Sequence, residues 1–377
     1  MKRRSANAGV LPARRLSAWV GRLSVVAVTA AAGTGCGSSS GPVASFGTEG
    51  GTPIPQRAGT VVVQGCQLDP WQTETLASSS AQQLLQTVVL LCPTARDDGS
   101  VAPIEASAQQ ELSEQVQSIR AMGYKVRLAL TMADELGQPY DAETMQASLA
   151  SATWRQSVVD GVTVMAAMTD GLDLQLPPPP DGSTDDVTSL VSALSSTLGI
   201  PSLGVFVPPG GASNDVAGAA AYDLGAIGPL VTRVHVLTLD YSCCSGSPGP
   251  TIDSGWAVDV ERSARAETTA PLDVAVPLYG WDFGPDGQRS VSYLEAEAVA
   301  SETKASLQRG PTGALYYDWQ DPTGGAHETW FDDGTSTSWT LAAWDTKTLP
   351  PDVGVVFWGL GSEDPALWET LAREEAP

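Results

Sequence analysis

Eight β-rich runs recur between residues 60 and 361, most of them separated by segments with helical spacing. They read TVVVQGC (60–66), LQTVVLLC (85–92), YKVRLALTM (124–132), DGLDLQL (170–176), SLGVFVP (202–208), VHVLTLDY (234–241), LDVAVPLYG (272–280) and VGVVFWGLG (353–361). Near-continuous apolar runs suit strands covered on both faces. Helical spacing lies between them: Leu112, Val116 and Ile119 share a face within 105–122, residues 154–168 form another helix, and Leu190, Leu194 and Leu198 align in 187–198. Strands alternating with helices eight times predict an α/β fold, a (β/α)8 TIM barrel. The aromatics and turn residues of 314–340 break the pattern and predict a small antiparallel β-rich insertion between strands seven and eight. No internal repeat and no second domain of normal size is legible, and the chain reads as a monomer.

The segments before the barrel have a different composition. Residues 1–36 carry six basic residues, no acidic one, and the apolar run LSVVAVTAAAG, too short to span a bilayer. Small residues then lead to Cys36. This reads as an export signal with a lipoprotein-type cleavage site, resembling the bacterial lipobox, with Cys36 as the lipidated residue. Residues 37–58 are rich in Gly, Ser, Thr and Pro and read as a flexible tether. The barrel is expected over 59–377, held at the membrane of the cell envelope through the lipid.

The whole chain has 20 basic and 43 acidic residues; without residues 1–36 the balance is 14 against 43. That excludes nucleic acid as a partner, because phosphate binding needs clustered Lys and Arg. Four cysteines remain after Cys36, an even set suited to an oxidising compartment. Cys66 and Cys92 end strands one and two, neighbours in a barrel, and are the expected disulfide. Cys243 and Cys244 are adjacent and are read as thiols, with a vicinal disulfide as the alternative. The cysteine spacing matches no zinc site, and two histidines leave little material for a metal centre or a Ser-His-Asp triad. No metal and no cofactor is expected. His235, inside an apolar run, reads as a packed strand residue.

In a barrel of this kind functional residues sit at the C-terminal ends of the strands. Strand four offers Asp170, Asp173 and Gln175; strand six, Asp240 and Tyr241; strand seven, Tyr279 and Trp281; strand eight, Trp358. Acid, amide and aromatic side chains together are a carbohydrate-type set, and eleven tryptophans suit the apolar faces of sugars. These segments resemble family 18 glycoside hydrolases, the chitinase-like barrels, over nearly all of 60–372. DGLDLQLP is similar to that family's strand-four DGxDxDxE, VLTLDY to its strand-six MxYD, VPLYGWDF to its strand-seven segment, and GVVFWGLGSEDPALW to its strand-eight ending.

The resemblance implies N-acetylglucosamine-containing glycan as the partner and substrate-assisted hydrolysis, an exception to the two-carboxylate scheme. It also implies which residues should perform it, and this chain departs there. The general acid position is Pro177. The Asp that orients the acetamido group is Gln175, and the strand-six Tyr that steadies it is Leu239. Trp358 matches the aromatic that floors the central sugar subsite. No catalytic residue is therefore assigned. The leading expectation is a glycan-binding, catalytically inactive relative. Two alternatives stay open: a hydrolase whose acid has moved to Glu328, Asp282 or Asp318, and an envelope scaffold or interaction protein.

Overall fold

The computed structural model describes residues 57–375, apart from 104–107, 136, 200–201, 211–216, 244–246 and 345–348. The export segment, Cys36, most of the tether and Cys244 lie outside the described residues. Among the described residues no helix is long and apolar enough to cross a membrane.

Eight parallel strands close into a barrel: Gly59–Gln64, Leu85–Ala95, Lys125–Met132, Leu172–Leu174, Leu203–Val207, Arg233–Val236, Leu272–Pro277 and Gly354–Trp358. Each pairs with its neighbour in chain order, and strand eight pairs with strand one. A short strand, Val101–Pro103, extends strand two antiparallel. The helices include Ala108–Ala121, Ala152–Ala166, Thr184–Leu198 and Ser254–Glu267. Their apolar faces pack on the outward residues of the strands; Leu112, Val116, Ile119, Leu190 and Leu194 belong to this outer core.

Strand alternation sends the other half of each strand inward. There a smaller cluster forms from Val62, Val89, Ala129, Phe206, Leu239, Ala275, Val356 and Trp358. Cys66 and Cys92 are joined by a disulfide linking the ends of strands one and two; Cys243 is buried.

The insertion begins earlier than residue 314. A five-stranded antiparallel sheet is ordered Gly287–Val291, Gly280–Gly284, Ala326–Phe331, Leu315–Gln320, Gln308–Arg309. The chain leaves strand seven and turns at once into the hairpin 280–291, whose polar second arm carries no apolar run. Helix Tyr293–Thr303 follows, started by a capping box of Ser292 and Glu295. It packs Ala296 and Ala300 against Tyr317 and Phe331. At its other end the sequence-assigned insertion overshoots, since Gly334–Ala343 is a helix. The composition-based tether also ends before residue 57. The buried Arg57 guanidinium donates to the carbonyls of Pro350, Val353, Trp344 and Leu349 at 2.7–3.1 Å.

Candidate functional site

The strand-four carboxylates do not share the mouth of the barrel. Asp170 precedes its strand, so it lies at the N-terminal end, opposite the rim expected for it. Its Oδ2 accepts from the Val126 amide at 2.8 Å and from Arg120 Nε at 3.2 Å. That geometry pins the turn into strand four.

Asp173 points into the barrel and is fully buried (0% exposed). Arg127 on strand three grips it with two hydrogen bonds, Nε to Oδ2 at 2.9 Å and Nη2 to Oδ1 at 2.8 Å. His235 Nε2 lies 3.5 Å from Asp173, and its Nδ1 lies 2.7 Å from Asp273, which also pairs with Arg233. Phe206 stacks on the His235 ring at 4.5 Å. Two glycines make room for this layer: a side chain at Gly204 would overlap Asp173, and one at Gly354 would overlap Asp273. Burial alone would raise the Asp173 pKa, but the Arg127 charge and the hydrogen bonds from His235 and Arg127 hold it below the carboxylate range. Burial would likewise lower His235. Its hydrogen bonds to Asp173 and Asp273, with their charges, win and push it up to about 9. Asp173 is therefore committed to a structural ionic layer beneath the mouth.

That layer carries a pH signature. The His235 pKa is raised in the folded state, so its protonation stabilises the fold fully below about pH 6.5 and this contribution is lost as pH rises toward 9. The expected loss is on the order of 3 kcal/mol between pH 6 and 9.5. Urea unfolding of the wild type at a series of pH values checks it, and a flat profile over that window would contradict a charged His235.

Above the ionic layer the barrel is mostly apolar, with Gln175 and the buried Thr131 among its inward residues. Leu239 (7% exposed) and Trp358 (8%) pack with Phe206, whose ring meets Trp358 edge-on at 5.4 Å. Gln175 is half-buried; its backbone N–H donates to Leu130 O at 2.8 Å, and its side-chain Nε2 reaches Leu176 O at 3.4 Å. Pro177 closes the strand-four exit without a titratable group.

The polar group that survives at the mouth is Asp240. Tyr279 Oη and Trp281 Nε1 both donate to its Oδ1, at 2.6 and 2.8 Å. Its φ of 63° is uncommon for a residue with a side chain. Burial raises its pKa, against the lowering effect of those two hydrogen bonds. Tyr279 packs on the Trp358 cluster, so Asp240, Tyr279, Trp281 and Trp358 form one group. Tyr241 is not part of it; it faces Trp256 on the outer side, at 5.3 Å.

Trp281 sits on the insertion sheet rather than at the end of strand seven. Register pairs it with Trp330, and alternation puts Trp281, Trp330, Glu328, Tyr316 and Asp318 on the sheet face turned toward Asp240. Tyr316 stacks on Trp330 at 4.4 Å. Glu328 accepts from Trp330 Nε1 at 2.6 Å, and Asp318 lies directly across from it. Asp282 is on the other face, buried, taking hydrogen bonds from Thr329 and Trp319 and lying near Arg289 and His327. It has no path to a ligand at the mouth.

Sequence reasoning passed over Asp332, which follows the last residue of strand Ala326–Phe331. Thr251 Oγ1 donates to it at 3.0 Å. Burial pushes its pKa up to about 6, despite the hydrogen bonds from Ser336 and Thr251. The Asp-Asp pair at 332–333 was the available signal, but nothing in it separates a carboxyl with a raised pKa from the helix cap that Asp333 provides.

No family model matches the chain. It is 23% identical over 160 residues to the cortical fragment-lytic enzyme of Bacillus anthracis, an alignment covering 40% of this chain and 36% of that protein. The chain spans about a third of the length of the curated relatives it matches. Among solved structures it is similar to the spore cortex-lytic enzyme SleL of Bacillus cereus, with a TM-score of 0.69 at 17% identity over 85% of this chain and 75% of that one. It is also similar to a mutant of the class V chitinase of Nicotiana tobaccum in complex with NAG4, with a TM-score of 0.64 at 12% identity over 85% and 99% of the two chains. The fold is thus a chitinase-like TIM barrel.

Proposed function

We propose that this chain is an exported, lipid-anchored barrel that binds N-acetylglucosamine-type glycan without hydrolysing it. One observation carries the reading: the strand-four exit holds Gln175 and Pro177 where an acid is needed, while the remaining carboxylate, Asp173, is consumed by Arg127. What stays at the mouth is an oriented acceptor, Asp240, beside Tyr279, Trp281 and Trp358. An acceptor flanked by aromatic rings suits sugar hydroxyls and the C–H faces between them. Fold alone does not fix function; the choice of glycan leans on the fold neighbour solved with NAG4.

The test is binding of N-acetylglucosamine oligomers to the full chain by calorimetry. Asp240→Ala should weaken binding about tenfold or more, since it leaves two donors without their charged acceptor. An unchanged affinity would move the site elsewhere, and no binding at all would favour a scaffold role. A second reading, hydrolysis by a relocated acid, is favoured by the raised pKa values of Asp240 and Asp332.

The anchor rests on Cys36. Cys36→Ala is expected to release the protein from the membrane fraction, because acyl chains supply about 0.8 kcal/mol per buried CH2. Unchanged fractionation of the variant would count against lipidation.

A further inference from the structure

We infer that the open face of the insertion sheet extends the glycan site and selects chains in which some units carry a free 2-amino group, positively charged glucosamine in place of N-acetylglucosamine. This rests on the glycan-binding reading above and narrows its ligand class.

One face of the five-stranded sheet is covered by helix Tyr293–Thr303, against which Tyr317 and Phe331 pack. The opposite face is the one turned toward Asp240, and register arranges it in two rows. Tyr316, Trp330 and Trp281 lie side by side across three strands in the first row. Asp318, Glu328 and Phe283 lie side by side in the second. The inner end of this face is joined to the barrel, since Trp281 Nε1 donates to Asp240. The outer part is open: Asp318 is exposed, and Tyr316, Glu328 and Phe283 are half-buried. An aromatic surface continuous with the mouth gives further units of a bound chain a place to pack.

Charge decides which chain. Asp318 and Glu328 stand directly opposite each other on the paired strands, where like charges destabilise a sheet. Among the described residues no ion pair engages either carboxylate. Trp330 Nε1 donates to Glu328 Oε1 at 2.6 Å, which holds that carboxylate beside the indole. No Lys, Arg or His occupies the positions that alternation places on this face of strands Gly280–Gly284, Leu315–Gln320 and Ala326–Phe331. A cation entering here would relieve the repulsion between the two carboxylates, and the aromatic rings beside them attract cations as well. A glucosamine unit meets both needs, with its ammonium on the carboxylates and its ring on the aromatics. An acetamido group brings no charge, and a uronate would meet like charge.

The experiment is calorimetric titration of the full chain at pH 6 with chitohexaose and with its fully de-N-acetylated counterpart, the glucosamine hexamer. The glucosamine hexamer is expected to bind about tenfold more tightly, since exposed ion pairs and cation–π contacts are each modest. The preference should shrink as salt is raised. In the double variant Asp318→Asn with Glu328→Gln, the two ligands should bind within about threefold of each other. Glutamine keeps an acceptor for Trp330 Nε1, and the change removes a like-charge pair, so the fold should not suffer. Equal binding of the two ligands by the wild type overturns the inference. So does a preference that survives in the double variant, which would come from the net acidity of the chain. Hexalysine binding as tightly as the glucosamine hexamer also overturns it, in favour of a basic-peptide surface. In each of these cases, chitohexaose binding that Asp240→Ala weakens leaves the glycan reading standing. Failure of both sugar chains to bind overturns that reading, and this inference with it.

Discussion

Arg127→Ala is expected to lower the unfolding free energy by about 3–5 kcal/mol, the usual cost of removing one partner from a buried ion pair. Asp173 has no exposed surface, and Arg127 supplies both of its close hydrogen bonds. Without the guanidinium, among the described residues His235 Nε2 at 3.5 Å is left as the cation beside a full carboxylate charge. Arg127 Nη2 also donates to Leu172 O at 2.8 Å, so its loss frees a strand-four carbonyl as well. Arg127→Lys should recover part of the loss, since an ammonium keeps the charge but not the two-pronged geometry. The double change Arg127→Met with Asp173→Leu should be milder than Arg127→Ala, because it removes the charge and its counter-charge together. Urea unfolding of the four proteins tests this. A loss below about 1 kcal/mol for Arg127→Ala would show that Asp173 does not depend on its partner.

The same layer marks how far the sequence could be read. The eight strands were legible because both of their faces are covered, which gives long apolar runs that ignore the details of packing. The hairpin 280–291 was not, because its second arm, GQRSV, alternates polar residues at the surface and resembles a loop. Asp173 was assigned to ligand binding on its place in a motif. Its commitment to Arg127 depends on which inward residues of strands three and four share a level, and that is fixed by strand register across the closed barrel. His235 was rightly placed in a strand, but its charge comes from Asp173 and Asp273, each more than 35 residues away in the chain. Asp170 was placed at the wrong end of its strand because strand four is only three residues long, and the motif that names it starts before the strand does. At the mouth, the pairing of Asp240 with Tyr279 was reachable from strand order. Its pairing with Trp281 was not, because that side chain arrives from the insertion sheet.

No measurable hydrolysis of N-acetylglucosamine oligomers is expected from the wild-type chain. Loss of general acid catalysis costs about 10²- to 10⁴-fold. Each absent donor or charge that would stabilise the developing transition state removes about 10²–10³ more. Pro177 has no proton to give, and Gln175 carries no charge to steady a cationic intermediate. Pro177→Glu alone should not restore turnover, because catalytic groups act as a unit. A carboxyl there would still face Gln175 and the buried Leu239. The change would also release the backbone leading into Pro178–Pro180, since each proline constrains the residue before it. The triple change Gln175→Asp, Pro177→Glu, Leu239→Tyr supplies all three chemical groups. Yet Leu239 is packed against Phe206 and Trp358, so a tyrosine there should strain the apolar layer by about 1–3 kcal/mol. Faint activity is the most to expect from it. The deciding measurement is sensitive product detection on the unmutated protein beside Asp240→Asn and Asp332→Asn. Turnover by the wild type that either substitution abolishes would mean that a carboxyl with a raised pKa has become the acid. The chain would then be an enzyme whose proton donor has moved off strand four.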